Sequence, residues 1–256
     1  MAQASTQPTW PSKLKPIFLW LNKYKLPHTW FESVAADYAE ANDGVFAFYD
    51  ATEAKKRRAL RTWRRIKSET VAKLLDVEAC QLSALVDATA KIEGDIAEVG
   101  TYNGGSAKII CEVKGDRPLH LFDTFKGIPE VEEIDAGKFA VGQYAASLET
   151  VTNYLKDYPK VFFYKGIFPT TAKPVEGKTF SFVHLDVDTY KSTSSCLEFF
   201  YTRMSTGGII LSHDYSNTFG VTKAFDEFFE EKLEPIISLT GTQCLIMKLS
   251  DSELSY

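Results

Sequence analysis

The chain has 256 residues, 45% hydrophobic and 25% charged, enough for one large core or for one domain with an appendage. A formal net charge of −5 argues against a surface built throughout for nucleic acid, and no such partner is expected. Four scattered cysteines (Cys80, Cys111, Cys196, Cys244) show no C-x-x-C pair, and the polar start precedes only five consecutive apolar residues, 17–21, so a soluble protein of the reducing cytoplasm is expected.

Up to about residue 90 the pattern is helical. Apolar residues recur at three-and-four spacing over 11–24, 30–42, 52–76 and 78–92, with turn residues between. The expected organisation is an N-terminal helical region, 1–75, serving substrate capture or dimer contacts, and a larger domain over 76–256. Within the first part, residues 55–67 (KKRRALRTWRRIK) carry eight basic side chains in thirteen positions. One reading is a solvated helix face with Leu60, Trp63 and Ile66 turned inward. The other is a patch for a phosphorylated or lipid-linked acceptor or an anionic membrane, extended by Lys13, Lys15, Lys23 and Lys25.

Beyond residue 90, β-rich runs alternate with helical ones. Strands are expected at 94–100, 118–125, 160–166, 180–188, 207–215, 234–239 and 243–249, and helices at 105–114, 147–157, 192–204 and 220–232. Strands separated by helices imply an α/β fold with a parallel sheet covered on both faces. Ligands bind such sheets at the carboxyl ends of the strands, where the strand order reverses.

Those ends carry Glu98 and Gly100, then Asp123, Gly166, Asp186 with Asp188, and His213 with Asp214. Each acid alone has a local explanation, Asp188 as a helix cap and Asp123 as a turn former. Gathered at one edge they repel each other and lose hydration, which a bland domain has no reason to arrange. The glycines after the first strand read G-x-x-x-G-G, whereas dinucleotide sites use G-x-G-x-x-G. Glu98 just before that turn disfavours a pyrophosphate and suits a cationic group, and Asp123 suits a ribose diol. Adenosine joined to a cation describes S-adenosylmethionine.

At this point AEVGTYNGGSA, LHLFDTFKGIP, FVHLDVDTYKST and GGIILSHDYS with GVTKAFDEF, co-linear over about residues 70–248, resemble the macrocin O-methyltransferase (TylF/MycF) family. The resemblance implies a class I methyltransferase (Rossmann-like) sheet of seven mostly parallel strands and methylation of sugar hydroxyls on glycosylated natural products. It also implies S-adenosylmethionine, released as S-adenosylhomocysteine, and a magnesium ion. Carried over, Glu98 and Gly100 would line the cofactor's methionine end and Asp123 would bind its ribose, with Thr101, Tyr102, Gly104, Ser106, Thr124, Phe125 and Gly166 as further cofactor-binding residues. Asp186 would touch cofactor and metal, with Asp186 and His213 catalytic and Asp186, His213 and Asp214 holding the ion. The family's pair after the fifth strand is Asp-Asp and here it reads His213-Asp214, so manganese is as plausible on donor chemistry as magnesium.

A sugar hydroxyl is a poor nucleophile near neutral pH, so a metal or a base beside it is expected. His184 shares a strand face with Asp186 and reads either as a site residue or as a hydrogen-bonded core histidine. The long polar loop 126–147, with Glu130, Glu132, Glu133 and Asp135, reads either as a lid flexing at Gly137 and Gly142 or as a solvated loop. The expected partner is a small-molecule or glycan acceptor, and a homo-oligomer is kept open. Alternatives are methylation of a catechol or phenol, a nicotinamide-dependent oxidoreductase, and a non-catalytic nucleotide-binding protein.

Overall fold

The computed structural model describes residues 54–250. The helices expected at 11–24 and 30–42, and the lysines between residues 13 and 25, lie outside them. Helices α1 (Ala54–Glu69) and α2 (Asp76–Ala88) precede β1 (Asp95–Val99), α3 (Gly105–Val113), β2 (Leu119–Asp123), α4 (Leu148–Leu155) and β3 (Val161–Lys165). Then follow β4 (Phe180–Leu185), α5 (Tyr190–Tyr201), β5 (Met204–Ser212), α6 (Phe219–Phe229), β6 (Ile237–Ser238) and β7 (Cys244–Met247). Every strand and helix expected beyond residue 90 forms.

The seven strands make one sheet in the order β3-β2-β1-β4-β5-β7-β6. Strands β1 to β5 run parallel, and β7 lies antiparallel between β5 and β6. All six residues of β4 are buried because helices cover both faces of the sheet there. Alternation along each strand sorts the side chains. Ile96, Leu121 and Phe182 pack with Leu82, Ile110 and Val151 on one face, and Val99, Phe122 and Leu185 pack with Leu197, Phe200 and Phe225 on the other.

The first core also takes in α1. Trp63 and Ile66, three residues apart, are wholly buried in it, while the cations between them face outward. Several of those cations pair with acids of the neighbouring helices: Lys55 with Asp87 (2.6 Å), Lys67 with Asp76 (2.5 Å) and Arg65 with Glu112 (2.5 Å). The packing reading of 55–67 therefore accounts for its apolar residues and part of its charge. Through Trp63 and Ile66, α1 packs on the same core as the sheet. Helical periodicity says which face of α1 is apolar but not which core receives it. Trp63→Ala is expected to destabilise the fold by about 3–5 kcal/mol, the range for deleting a buried large aromatic, read as a lower midpoint in urea.

The chain runs outward from β1 to β3 and returns to β4, so the segments leaving β1 and β4 diverge and open a crevice between them. Gly100 makes that junction possible. Its φ is +91°, and a Cβ there would lie 1.8 Å from the Asp186 carbonyl oxygen. The steric demand at Gly100 comes from the neighbouring strand, not from a ligand.

Candidate active site

A cavity of about 390 Å³ occupies this crevice, within the range of small-molecule sites. From the turn after β1 it receives Gly100, Thr101, Tyr102 and, one turn on, Ser106. The ends of β2 and β3 add Asp123, Thr124 and Gly166, and those of β4 and β5 add Asp186, His213 and Asp214.

Three residues expected at the site do not line the cavity. Glu98 points to the sheet face shared with Ile96 and is wholly buried against His184, its register partner on β4, with His184 Nδ1 2.9 Å from Oε1. Burial raises its carboxyl above the usual range, opposed by His184 and by the Ser106 hydroxyl. His184 is thus a hydrogen-bonded core histidine. Gly104 is the left-handed N-cap of α3 and faces Val151 and Tyr154. Phe125 contributes its backbone, donating its N–H to Asp123 Oδ1 at 2.6 Å, while its ring is buried.

Asp123 accepts a second N–H, from Tyr102 to Oδ2 at 2.8 Å. Burial raises its carboxyl, and these N–H groups oppose the rise. The two bonds orient the carboxylate and leave each oxygen a lone pair toward the cavity.

The ionisable cluster sits at the ends of β4 and β5, across β1 from Asp123 on β2. His213 N–H donates to the Leu185 carbonyl at 2.8 Å, which brings the ends of β4 and β5 together. His213 Nδ1 then lies 3.3 Å from Asp186 Oδ1 and 3.2 Å from Asp214 Oδ2, and Nε2 lies 3.2 Å from Glu78 Oε2. Burial would lower the pKa of His213, but Asp186, Asp214 and Glu78 together push it far above its usual value. Burial likewise works against the Asp186 carboxylate, and His213 outweighs it and lowers the pKa. For Asp188 the balance falls the other way: burial, then Asp186 and Asp214, hold its carboxyl well above the ordinary range despite the opposing charge of His213.

Backbone strain gathers here too. Tyr102, Tyr144, Asp188 and Asp214 all line the cavity with φ between 47° and 64°, conformations that cost roughly 1–3 kcal/mol each and persist where the surroundings over-determine them. Loop 126–147 is tied across the strand ends rather than simply solvated. Buried Asp135 accepts the Tyr190 N–H at the start of α5 (2.9 Å), Lys138 donates to Thr218 Oγ1 (2.8 Å), and Glu130 pairs with Lys191 (2.7 Å). Gly137 and Gly142 both have φ of +83°.

Sequence reasoning missed Glu78, Tyr144 and the role of Asp188. Glu78 had a signal, an acid at the head of an i, i+4, i+8 stripe with Leu82 and Val86. Asp188 was legible as a strand-end acid but admitted a capping role. In the structure Thr189 is the N-cap of α5, and the Tyr190 N–H is taken by Asp135.

The sequence profile of the macrocin-O-methyltransferase (TylF) family matches residues 19–243. The chain belongs to this family. It is an O-methyltransferase. Among curated relatives, an 8-demethyl-8-(2,3-dimethoxy-alpha-L-rhamnosyl)-tetracenomycin-C 4'-O-methyltransferase of Streptomyces olivaceus is 28% identical over 70% of this chain and 74% of its own. A mycinamicin III 3''-O-methyltransferase of Micromonospora griseorubida is 28% identical over 56% of this chain and 62% of its own. The crystal structure of the calicheamicin methyltransferase CalS11 shares the fold, with a TM-score of 0.59 at 18% identity over 78% of this chain and 94% of its own.

Proposed function

We propose that this methyltransferase moves the methyl group of S-adenosylmethionine onto a sugar hydroxyl of a glycosylated small molecule, with a divalent ion at Asp186, His213 and Asp214. The observation that carries the reading is one cavity lined by two groups of different chemistry. An oriented carboxylate, Asp123, suits a ribose diol, and the Asp186–His213–Asp214 group with Asp188 suits a hydroxyl that must lose its proton. The relatives' rhamnosyl and mycinamicin acceptors support a sugar as substrate.

The three metal-site residues fit an ion by their donors. One ligand atom from each lies within 4.8 Å of the others, and His213 Nδ1 is buried with no hydrogen-bond partner. A mixed nitrogen and oxygen set accommodates manganese, iron or zinc at least as readily as magnesium. When bound, the ion would lower the pKa of the acceptor hydroxyl and supply positive charge beside it.

Methyl transfer from a sulfonium is an in-line displacement, so the protein's main task is to hold the sulfur, methyl carbon and acceptor oxygen in line. The oxygen–carbon bond forms as the sulfur–carbon bond breaks, S-adenosylhomocysteine leaves neutral at sulfur, and the hydroxyl proton passes to Asp188. Asp188 lines the cavity and does not cap the helix that follows it, the placement a general base needs. The strap formed by residues 126–147 would keep water from this site.

No helix among the described residues is long and apolar enough to cross a membrane. Four buried, unpaired cysteines support a reducing compartment, the cytoplasm. Residues 1–75 would help capture the acceptor or join a second copy, and any anionic partner at 55–67 would compete with the ion pairs already formed there.

Calorimetry of S-adenosylhomocysteine against NAD and ATP, followed by an acceptor screen read as one added methyl group by mass, tests the reading. Binding of NAD in preference would overturn it. Asp123→Ala is expected to weaken S-adenosylmethionine by about 1.5–3 kcal/mol, the range for hydrogen bonds to a charged group, or roughly 10- to 150-fold in Kd. Unchanged affinity in the folded variant would remove Asp123 from the ribose site.

A further inference from the structure

Glu78 lies on α2, more than 100 residues before His213, yet it is wholly buried and reaches the cavity wall. Its carboxylate is held from several sides. Oε2 accepts the Leu75 N–H at 2.7 Å, and Oε1 accepts both the N–H and the hydroxyl of Thr242 at 2.8 Å. The β6–β7 turn is shaped around it, since a Cβ at Gly241 would stand 2.6 Å from Oε1. The remaining direction of Oε2 is filled by His213 Nε2 at 3.2 Å. The opposite ring nitrogen, Nδ1, faces Asp186 and Asp214 without a hydrogen-bond partner.

We propose that Glu78 is the positioning carboxylate of a carboxylate–imidazole–metal array, accepting the Nε2–H of His213 so that the Nδ1 lone pair is aimed at the ion. The proposal rests on the metal reading above and deepens it. An imidazole is a flexible donor only until its second nitrogen is committed, and a carboxylate behind it fixes the tautomer and raises its basicity. Glu78 would thereby make a site with nitrogen among its donors, one that discriminates for manganese over magnesium. Leu75 and Thr242 hold Glu78, Glu78 holds His213, and α2 becomes part of the metal site although it carries no ligand.

The test uses the full chain titrated with manganese chloride and, separately, magnesium chloride, by calorimetry and by manganese electron paramagnetic resonance with pulsed detection of nitrogen-14. Wild-type protein is expected to prefer manganese and to show a nitrogen-14 coupling. Glu78→Gln is expected to weaken manganese about 10- to 100-fold with a much smaller change for magnesium. His213→Asp should erase the nitrogen-14 coupling, and adding Glu78→Gln to it should change manganese affinity no further. Wild-type affinity for manganese in Glu78→Gln overturns the role of Glu78 and leaves the metal reading standing. An equal loss from Glu78→Gln in the His213→Asp background marks a purely structural residue and also overturns it. Uptake of neither ion by the wild-type protein overturns both readings together.

Discussion

Asp188→Asn is expected to lower kcat by about 10²–10⁴-fold, the contribution typical of a positioned general base, with S-adenosylhomocysteine affinity little changed. The substitution keeps the shape of the side chain and removes its ability to take a proton. Asp188 lines the cavity in a left-handed conformation, two residues beyond Asp186, and it is not the cap of the helix that follows. Burial, then Asp186 and Asp214, raise its carboxyl above the usual carboxylate range, against the opposing charge of His213. Single-turnover methyl transfer, measured with cofactor and acceptor saturating, separates this effect from binding. A variant that keeps its single-turnover rate would show that the proton leaves by another route.

Removal of divalent ions is expected to abolish turnover, with manganese restoring it at least as well as magnesium. Asp186, Asp188 and Asp214 converge on one wall of the cavity, partly withdrawn from solvent, where like charges repel. His213 offsets part of that charge in the metal-free protein, and a divalent ion offsets more of it while also acidifying the acceptor. Asp186→Asn removes a charged donor and is expected to lose both the ion and the activity. Metal content measured beside activity checks the result. Full turnover in protein shown to be free of divalent ions would leave His213 as a cation clamped by carboxylates, and acceptor activation would rest on Asp188 alone.

Between sequence and structure the division follows the range of the forces involved. Strand and helix alternation beyond residue 90 was legible because side-chain periodicity is local. So was the gathering of Asp123, Asp186, His213 and Asp214, because a parallel α/β sheet places every strand's carboxyl end on the same edge. Trp63 and Ile66 were legible as an inward pair, yet only packing decided that α1 docks on the same core as β1 and β4. Glu98 was read as a cofactor residue from its place beside Gly100, and strand alternation turned it instead toward His184 across the β1–β4 pair. Gly100 was read as a cofactor residue and does line the cavity, but its need for glycine comes from the Asp186 carbonyl that a Cβ would meet. Nothing in the sequence links Glu78 to His213, because their contact depends on where α2 packs and on how Leu75 and Thr242 hold the carboxylate. The sequence alone therefore determined the fold class and the edge of the sheet where Asp123, Asp186, His213 and Asp214 gather. Which carboxylates face the cavity, which are sealed in the core and which nitrogen of His213 faces Asp186 and Asp214 were decided by tertiary packing, through contacts between residues far apart along the chain.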